Sequence, residues 1–147
     1  MIININKPAG WTSFDVVKKV RGIIKEKKVG HAGTLDPFAE GVLVLGTGPD
    51  TKKLTNITTT SKTYRANLTL GKTTDTLDLD GKISAEAVVP KLTKETIAAV
   101  LDSFDGPQEQ MPPMYSAKHV NGQRLYKLAR KNKTVERVPV RIFIDQI

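Results

Sequence analysis

VGHAGTLDPFAEGVLVLGTGPDTK, residues 29–52, joins a glycine-punctuated polar loop to a short apolar strand, and the rest of the chain reads outward from it. Gly30 and Gly33 bracket His31, a pattern that lets the backbone turn sharply and approach a ligand closely. Asp36 stands directly before Pro37, which biases it toward an extended or turn conformation. Gly41 to Gly46 has the length and branched aliphatic content of a central strand buried on both faces. Two readings of Asp36 are open at this point. A carboxylate on a loop at the edge of a rigid strand suits catalysis, and the same carboxylate suits an Asx turn over Pro37.

A chain of 147 residues suits one domain or part of one, and can bury roughly two-thirds of its unfolded surface. Aromatic residues make up only 5%, so the expected core is aliphatic. With no cysteine there is no disulfide and no thiolate metal site, which fits a reducing cytosol. The opening MIININKPAG lacks a basic stretch followed by a long apolar one, so no secretory signal is expected. No apolar run approaches the length of a membrane span. A cytoplasmic chain without a membrane partner is the expectation. The formal net charge of +8 is uneven: residues 1–31 carry seven Lys/Arg against two Asp/Glu, residues 32–114 eight against eleven, and residues 115–147 eight against two. Basic ends around a mildly acidic middle suit a polyanion, nucleic acid above all. Lysines that merely solvate the surface are the plainer alternative.

Asn6 to Gly10 reads as a turn, and Thr12-Ser13-Phe14-Asp15 as a capping box for a helix with Val16, Val17, Val20, Ile23 and Ile24 on its apolar face. A short helix fits Thr51 to Thr60. From Tyr64 the period becomes two, with Tyr64, Ala66, Leu68 and Leu70 on one side, which predicts a half-buried strand. Thr73 to Gly81 is turn-like, and Lys82 to Val89 predicts another short strand. Thr93 caps a helix with Ile97, Val100, Leu101 and Phe104 inward, closed by Gly106 and Pro107. Residues 107–139 form a proline-bearing, basic insert with a helix predicted over Gly122 to Lys131. There Arg124, Lys127 and Lys131 form a stripe near Tyr115 and Tyr126, suited to stacking and phosphate contact. Val138, Val140, Ile142 and Ile144 alternate as a last strand.

Three motifs fail on inspection. Ala66 to Thr73 matches a relaxed phosphate loop, but it is an alternating strand with one glycine and no apolar helix after it. Asp78-Leu79-Asp80-Gly81 hints at a calcium loop, yet Thr76 and Ala87 stand where carboxylates are needed. His31 and His119 have no partner at ligand spacing, so no metal is expected.

Together these segments resemble the TruB family of tRNA pseudouridine synthases, of the bacterial type. INKPAGWTSFDVVKKVR resembles the family's opening segment, GHAGTLDPFAEGVLVLGTGPDTK its catalytic motif, TYRANLTLGKTTDTLDLDG its tyrosine strand and turn, and QMPPMYSAKHVNGQRLYKLAR its RNA-binding thumb. The resemblance implies an α+β fold, a mixed, largely antiparallel sheet flanked by helices. It implies isomerisation of the T-loop uridine of tRNA, customarily numbered 55, to pseudouridine without cofactor or metal. Asp36 takes the catalytic position, as nucleophile on sugar or base or as a base toward a sugar proton. Tyr64 takes the place of the catalytic-site tyrosine that lies against the flipped base near C5; an ordinary phenol, with a pKa of about 10, is a poor base, so stacking is its surer role. Asp78 matches an aspartate of the active-site network that orients a cation. His31 supports the everted loop, and Lys7, Tyr115, Arg124, Lys127 and Lys131 grip the T-arm.

The family's catalytic arginine follows a Gly-Thr-Tyr-Ile stretch that residues 1–147 do not contain. Residues 1–147 are therefore expected to be the N-terminal part of the catalytic domain, incomplete at its C-terminus, with a thumb-like insert at about 107–139 and no C-terminal RNA-binding domain. On that expectation the chain alone is catalytically silent and marginally folded. The alternative is a non-catalytic RNA-binding or tRNA-folding module.

Overall fold

The computed structural model describes residues 1–116, 118–120 and 122–147; Ala117 and Asn121, within the thumb-like motif, lie outside the described residues. The fold is α+β, and every strand pair among the described residues is antiparallel. The chain divides into two compact units, Met1–Ala66 and Asn67–Ile147.

The first unit is built on a three-stranded sheet. Strand β1 (Ile2–Lys7) is followed by helix α1 (Ser13–Ile24), strand β2 (Val29–Ala32) and strand β3 (Gly41–Thr47). The long apolar strand β3 is central, with β1 and β2 on its two sides. Alternation of isoleucine and asparagine along β1 turns Ile3 and Ile5 inward. Thr12 caps α1 in a capping box with Asp15. Val16, Val17 and Val20 of the helix pack with Val29, Leu43 and Leu45 of the sheet as the core. Arg21 ties helix to sheet by donating from Nη2 to the carbonyl of Val29 at 2.7 Å.

Four expectations change here. Gly30 is not a turn but part of β2, directly opposite Gly46 of β3. Helix α2 (Leu54–Thr58) explains both glycines. A Cβ on Gly30 would stand 3.3 Å from Leu54 Cδ1, and one on Gly46 3.0 Å from Leu54 Cγ. The paired glycines make the hollow that the buried Leu54 fills. Ile23, expected on the buried face of α1, is exposed, as is Val42 of β3, so β3 is buried on one face along part of its length. Residues 61–69 form no strand; Tyr64 is 70% exposed and Leu68 84%. Period-two patterning creates an amphipathic strand only where a neighbour takes its backbone hydrogen bonds, and no described strand pairs with this segment.

In the second unit, β4 (Lys72–Thr74) and β5 (Ile83–Glu86) make a hairpin, followed by helix α3 (Lys94–Asp102). Thr93 caps α3 as expected, but Ile97, Val100, Leu101 and Phe104 are exposed rather than inward. Gly106 and Pro107 do not merely stop the helix. They open strand β6 (Gly106–Gln110), which pairs residue by residue with the last strand, Val140–Ile144. Between those two paired strands lie β7 (His119–Val120), β8 (Gln123–Arg124) and helix α4 (Leu125–Ala129); the last strand is β9. The helix expected over Gly122 to Lys131 is thus shortened, because the hairpin β7–β8 takes its first residues. Leu125 and Ala129 are its buried side.

Candidate active site

Asp36 sits on the loop between β2 and β3, and the structure shows how that loop is held. Gly33 turns the chain out of β2 with φ +90°, a conformation costly to any residue with a Cβ. His31 Nδ1 hydrogen-bonds the carbonyl of Gly33. Since a carbonyl only accepts, Nδ1 is the donor in this contact. The amide of Ala39 donates to the carbonyl of Asp36 at 3.1 Å, closing a turn over Pro37 and Phe38. Asp36 itself is exposed.

The segment from Lys7 to Ser13 grips this loop from the side. Gly10, at φ +79°, donates its amide to Pro37 O at 2.8 Å. Lys7 Nζ donates to the carbonyls of Pro8 at 3.0 Å, Trp11 at 2.6 Å and Pro37 at 3.3 Å. Ser13 Oγ donates to Leu35 O at 3.2 Å and accepts from Leu35 N at 2.9 Å. Lys7 was expected among the RNA contacts. It is 0% exposed, and its three protons are taken by carbonyls, so it braces the loop and has no surface to offer a phosphate.

In the first unit, Lys7 is thus tied to the loop that carries Asp36, and His31 holds the start of that loop. Tyr64 belongs to the same unit, on the exposed strand-free segment after α2. Asp78 lies in the second unit, in the turn of the β4–β5 hairpin. Its Oδ1 accepts from Thr76 Oγ1 at 2.6 Å and from the amide of Asp80 at 3.0 Å. Asp75 closes the same turn, Oδ1 accepting from the amide of Lys82 at 2.9 Å. A Cβ on Gly81 would fall 2.1 Å from Thr76 Oγ1, so only glycine fits there.

In the segment between β6 and β9, Tyr115, Arg124, Lys127 and Lys131 are all exposed. Tyr126 is engaged by Arg130, whose Cζ lies 5.4 Å from the ring centroid. Sequence reasoning missed Ser13, which was read only as part of a capping box. The available signal was a hydroxyl at the first helical position, three residues past the Pro8-Ala9-Gly10 turn.

Residues 21–147 match the family model described as TruB family pseudouridylate synthase, N-terminal domain. The chain is 51% identical over 146 residues to tRNA pseudouridine synthase B of Clostridium kluyveri, covering 99% of this chain and 50% of that protein. It is 49% identical over 145 residues to the same-named protein of Microcystis aeruginosa, covering 99% of this chain and 49% of that one. The chain thus spans about half the length of these relatives. Its fold is similar to a chain in the crystal structure of a Cbf5-Nop10-Gar1 complex, with TM-score 0.54 and 25% identity over 80% of this chain and 30% of that one.

Proposed function

Because the chain belongs to the TruB family of pseudouridylate synthases, we propose that it supplies the aspartate and the RNA grip of a cytoplasmic tRNA pseudouridine synthase acting on the T-loop uridine. The observation that carries this reading is the braced loop. Asp36 is exposed, while the residues on either side of it are tied to the N-terminal segment by Ser13, Gly10 and Lys7. Catalysis asks for a carboxylate that reaches substrate on a backbone that does not yield.

The reaction is an isomerisation. The bond from N1 of uracil to C1′ of the ribose breaks, the base turns, and C5 bonds to C1′. The proton on C5 is lost and N1 gains one, so no cofactor or metal is consumed. An ionised Asp36 can attack the sugar or the base, or take a proton from the sugar, and each route uses the same exposed carboxylate. The uridine first leaves its stack at a cost of a few kcal/mol. Stacking on Tyr64 offsets that by about 1–3 kcal/mol, and the exposed ring is free to receive a base. His31 supports the everted loop, and Asp78 orients a cation of the catalytic network. The segment between β6 and β9 acts as the thumb, with Tyr115, Arg124, Lys127 and Lys131 against the T-arm.

The test compares wild type with Asp36→Asn in a protein containing residues 1–147. Pseudouridine formation on an unmodified T-arm transcript is expected to vanish while RNA affinity stays within a few-fold of wild type. Turnover retained in the variant would remove Asp36 from catalysis. RNA binding without turnover in the wild type would favour a non-catalytic RNA-folding module.

A further inference from the structure

We propose that Ser13 is a positioning residue for the reaction, fixing the backbone that carries Asp36; this rests on the functional reading above. Ser13 is 2% exposed, at the start of α1, where the capping box of Thr12 and Asp15 sets the helix entrance. Its hydroxyl both donates to and accepts from the backbone of Leu35, the residue directly before Asp36. A hydroxyl can do both at one atom, and a methyl can do neither. Leu35 is also packed against the core formed by α1 and the sheet. Its amide, its carbonyl and its side chain are therefore all engaged. On the other side of Asp36, the carbonyl of Pro37 takes two donors, Gly10 N at 2.8 Å and Lys7 Nζ at 3.3 Å. The Pro37 contacts brace one end of the dipeptide that Asp36 begins, and Ser13 braces the other. Without the serine clamp, the φ and ψ of Asp36 are restrained from one side only, and its carboxylate loses registration with the flipped nucleotide.

Ser13→Ala, Ser13→Thr and Val17→Ala are compared with wild type in a protein containing residues 1–147. The readouts are the single-turnover rate of pseudouridine formation on a T-arm transcript, RNA affinity, and hydrogen exchange of the Leu35 amide without RNA. Ser13→Ala is expected to slow the single-turnover rate by roughly 10- to 100-fold, to leave RNA affinity unchanged, and to deprotect Leu35. Ser13→Thr keeps the hydroxyl and recovers both rate and protection. Val17→Ala removes a core side chain that is 1% exposed, so it lowers stability while keeping the rate of the folded fraction.

An unchanged rate in Ser13→Ala would overturn the proposal. So would a rate loss that tracks only the unfolded fraction, as in Val17→Ala. A Ser13→Thr protein that protects Leu35 yet remains as slow as Ser13→Ala would break the link between clamp and rate. A wild-type protein without turnover would overturn the functional reading instead. Leu35 exchange then decides the clamp: deprotection in Ser13→Ala alone sustains it, and unchanged protection refutes it.

Discussion

An ammonium group carries three protons, and at Lys7 all three are taken by carbonyls, those of Pro8, Trp11 and Pro37. Only a point-like cation on a flexible stem fits such a convergent set; a planar guanidinium does not. Lys7→Met keeps the buried stem but leaves the carbonyls of Pro8 and Trp11 without this donor, while Pro37 O keeps the Gly10 amide. At about 1–3 kcal/mol for each unpaired group, urea denaturation is expected to show a loss of roughly 2–6 kcal/mol. RNA affinity of the folded variant keeps its salt dependence, because a lysine with no exposed surface releases no counterion. A flattened salt slope in Lys7→Met would return Lys7 to the RNA interface. Gly10 belongs to the same brace: at φ +79° a Gly10→Ala change costs roughly 1–2 kcal/mol in backbone strain alone.

At the scale of elements, helix α1 is the piece on which the loop depends, and its entrance is set by side chains. Asp15 Oδ2 accepts from Thr12 N at 2.9 Å and from Thr12 Oγ1 at 2.6 Å, while Thr12 Oγ1 accepts from the Asp15 amide at 3.1 Å. The Thr12 hydroxyl, then its amide, hold the Asp15 carboxyl below its ordinary value of 3.8. A depressed folded-state value means that this stabilisation is complete above the ordinary value and is lost as pH falls through the depressed one. Thr12→Ala removes the cap and is expected to cost about 0.5–2 kcal/mol. It should also remove that part of the acid-limb loss of stability, which denaturation at pH 3 and pH 7 reports. The segment between β6 and β9 carries its own prediction. Neutralising Arg124, Lys127 and Lys131 together should weaken RNA binding and flatten the log–log salt slope by about 0.7–0.9 per lost phosphate contact. An unchanged slope would mean that these three side chains are only solvated.

For the whole molecule, the distribution of buried apolar side chains sets the order of stability. Val16, Val17, Val20, Val29, Leu43, Leu45 and Leu54 are buried in the first unit, against Leu125 and Ala129 among the described residues of the second. Amide exchange is therefore expected to be slowest in α1 and β3 and fast throughout α3. Leu45→Ala, at a site with 0% exposure, should cost about 2–5 kcal/mol. Protection in α3 equal to that in β3 would show that its apolar face is covered in solution. The capping boxes at Thr12 and Thr93, the apolar strand after the Asp36 loop and the hairpin turn around Asp78 were legible in the sequence alone. Each is a local device, whose hydrogen bonds or patterning lie within a few residues. The sequence alone also determined the family, through motifs carried in order along the chain. Tertiary structure decided the rest. It showed that Gly30 and Gly46 face each other beneath Leu54, that residues 61–69 find no strand to pair with, and that β6 pairs with β9 across thirty-odd residues. It alone revealed that Lys7 and Ser13 brace the loop of Asp36. A lysine reads as a surface charge and a serine as a cap until the carbonyls and amides they reach, 22 and 30 residues away, are in place.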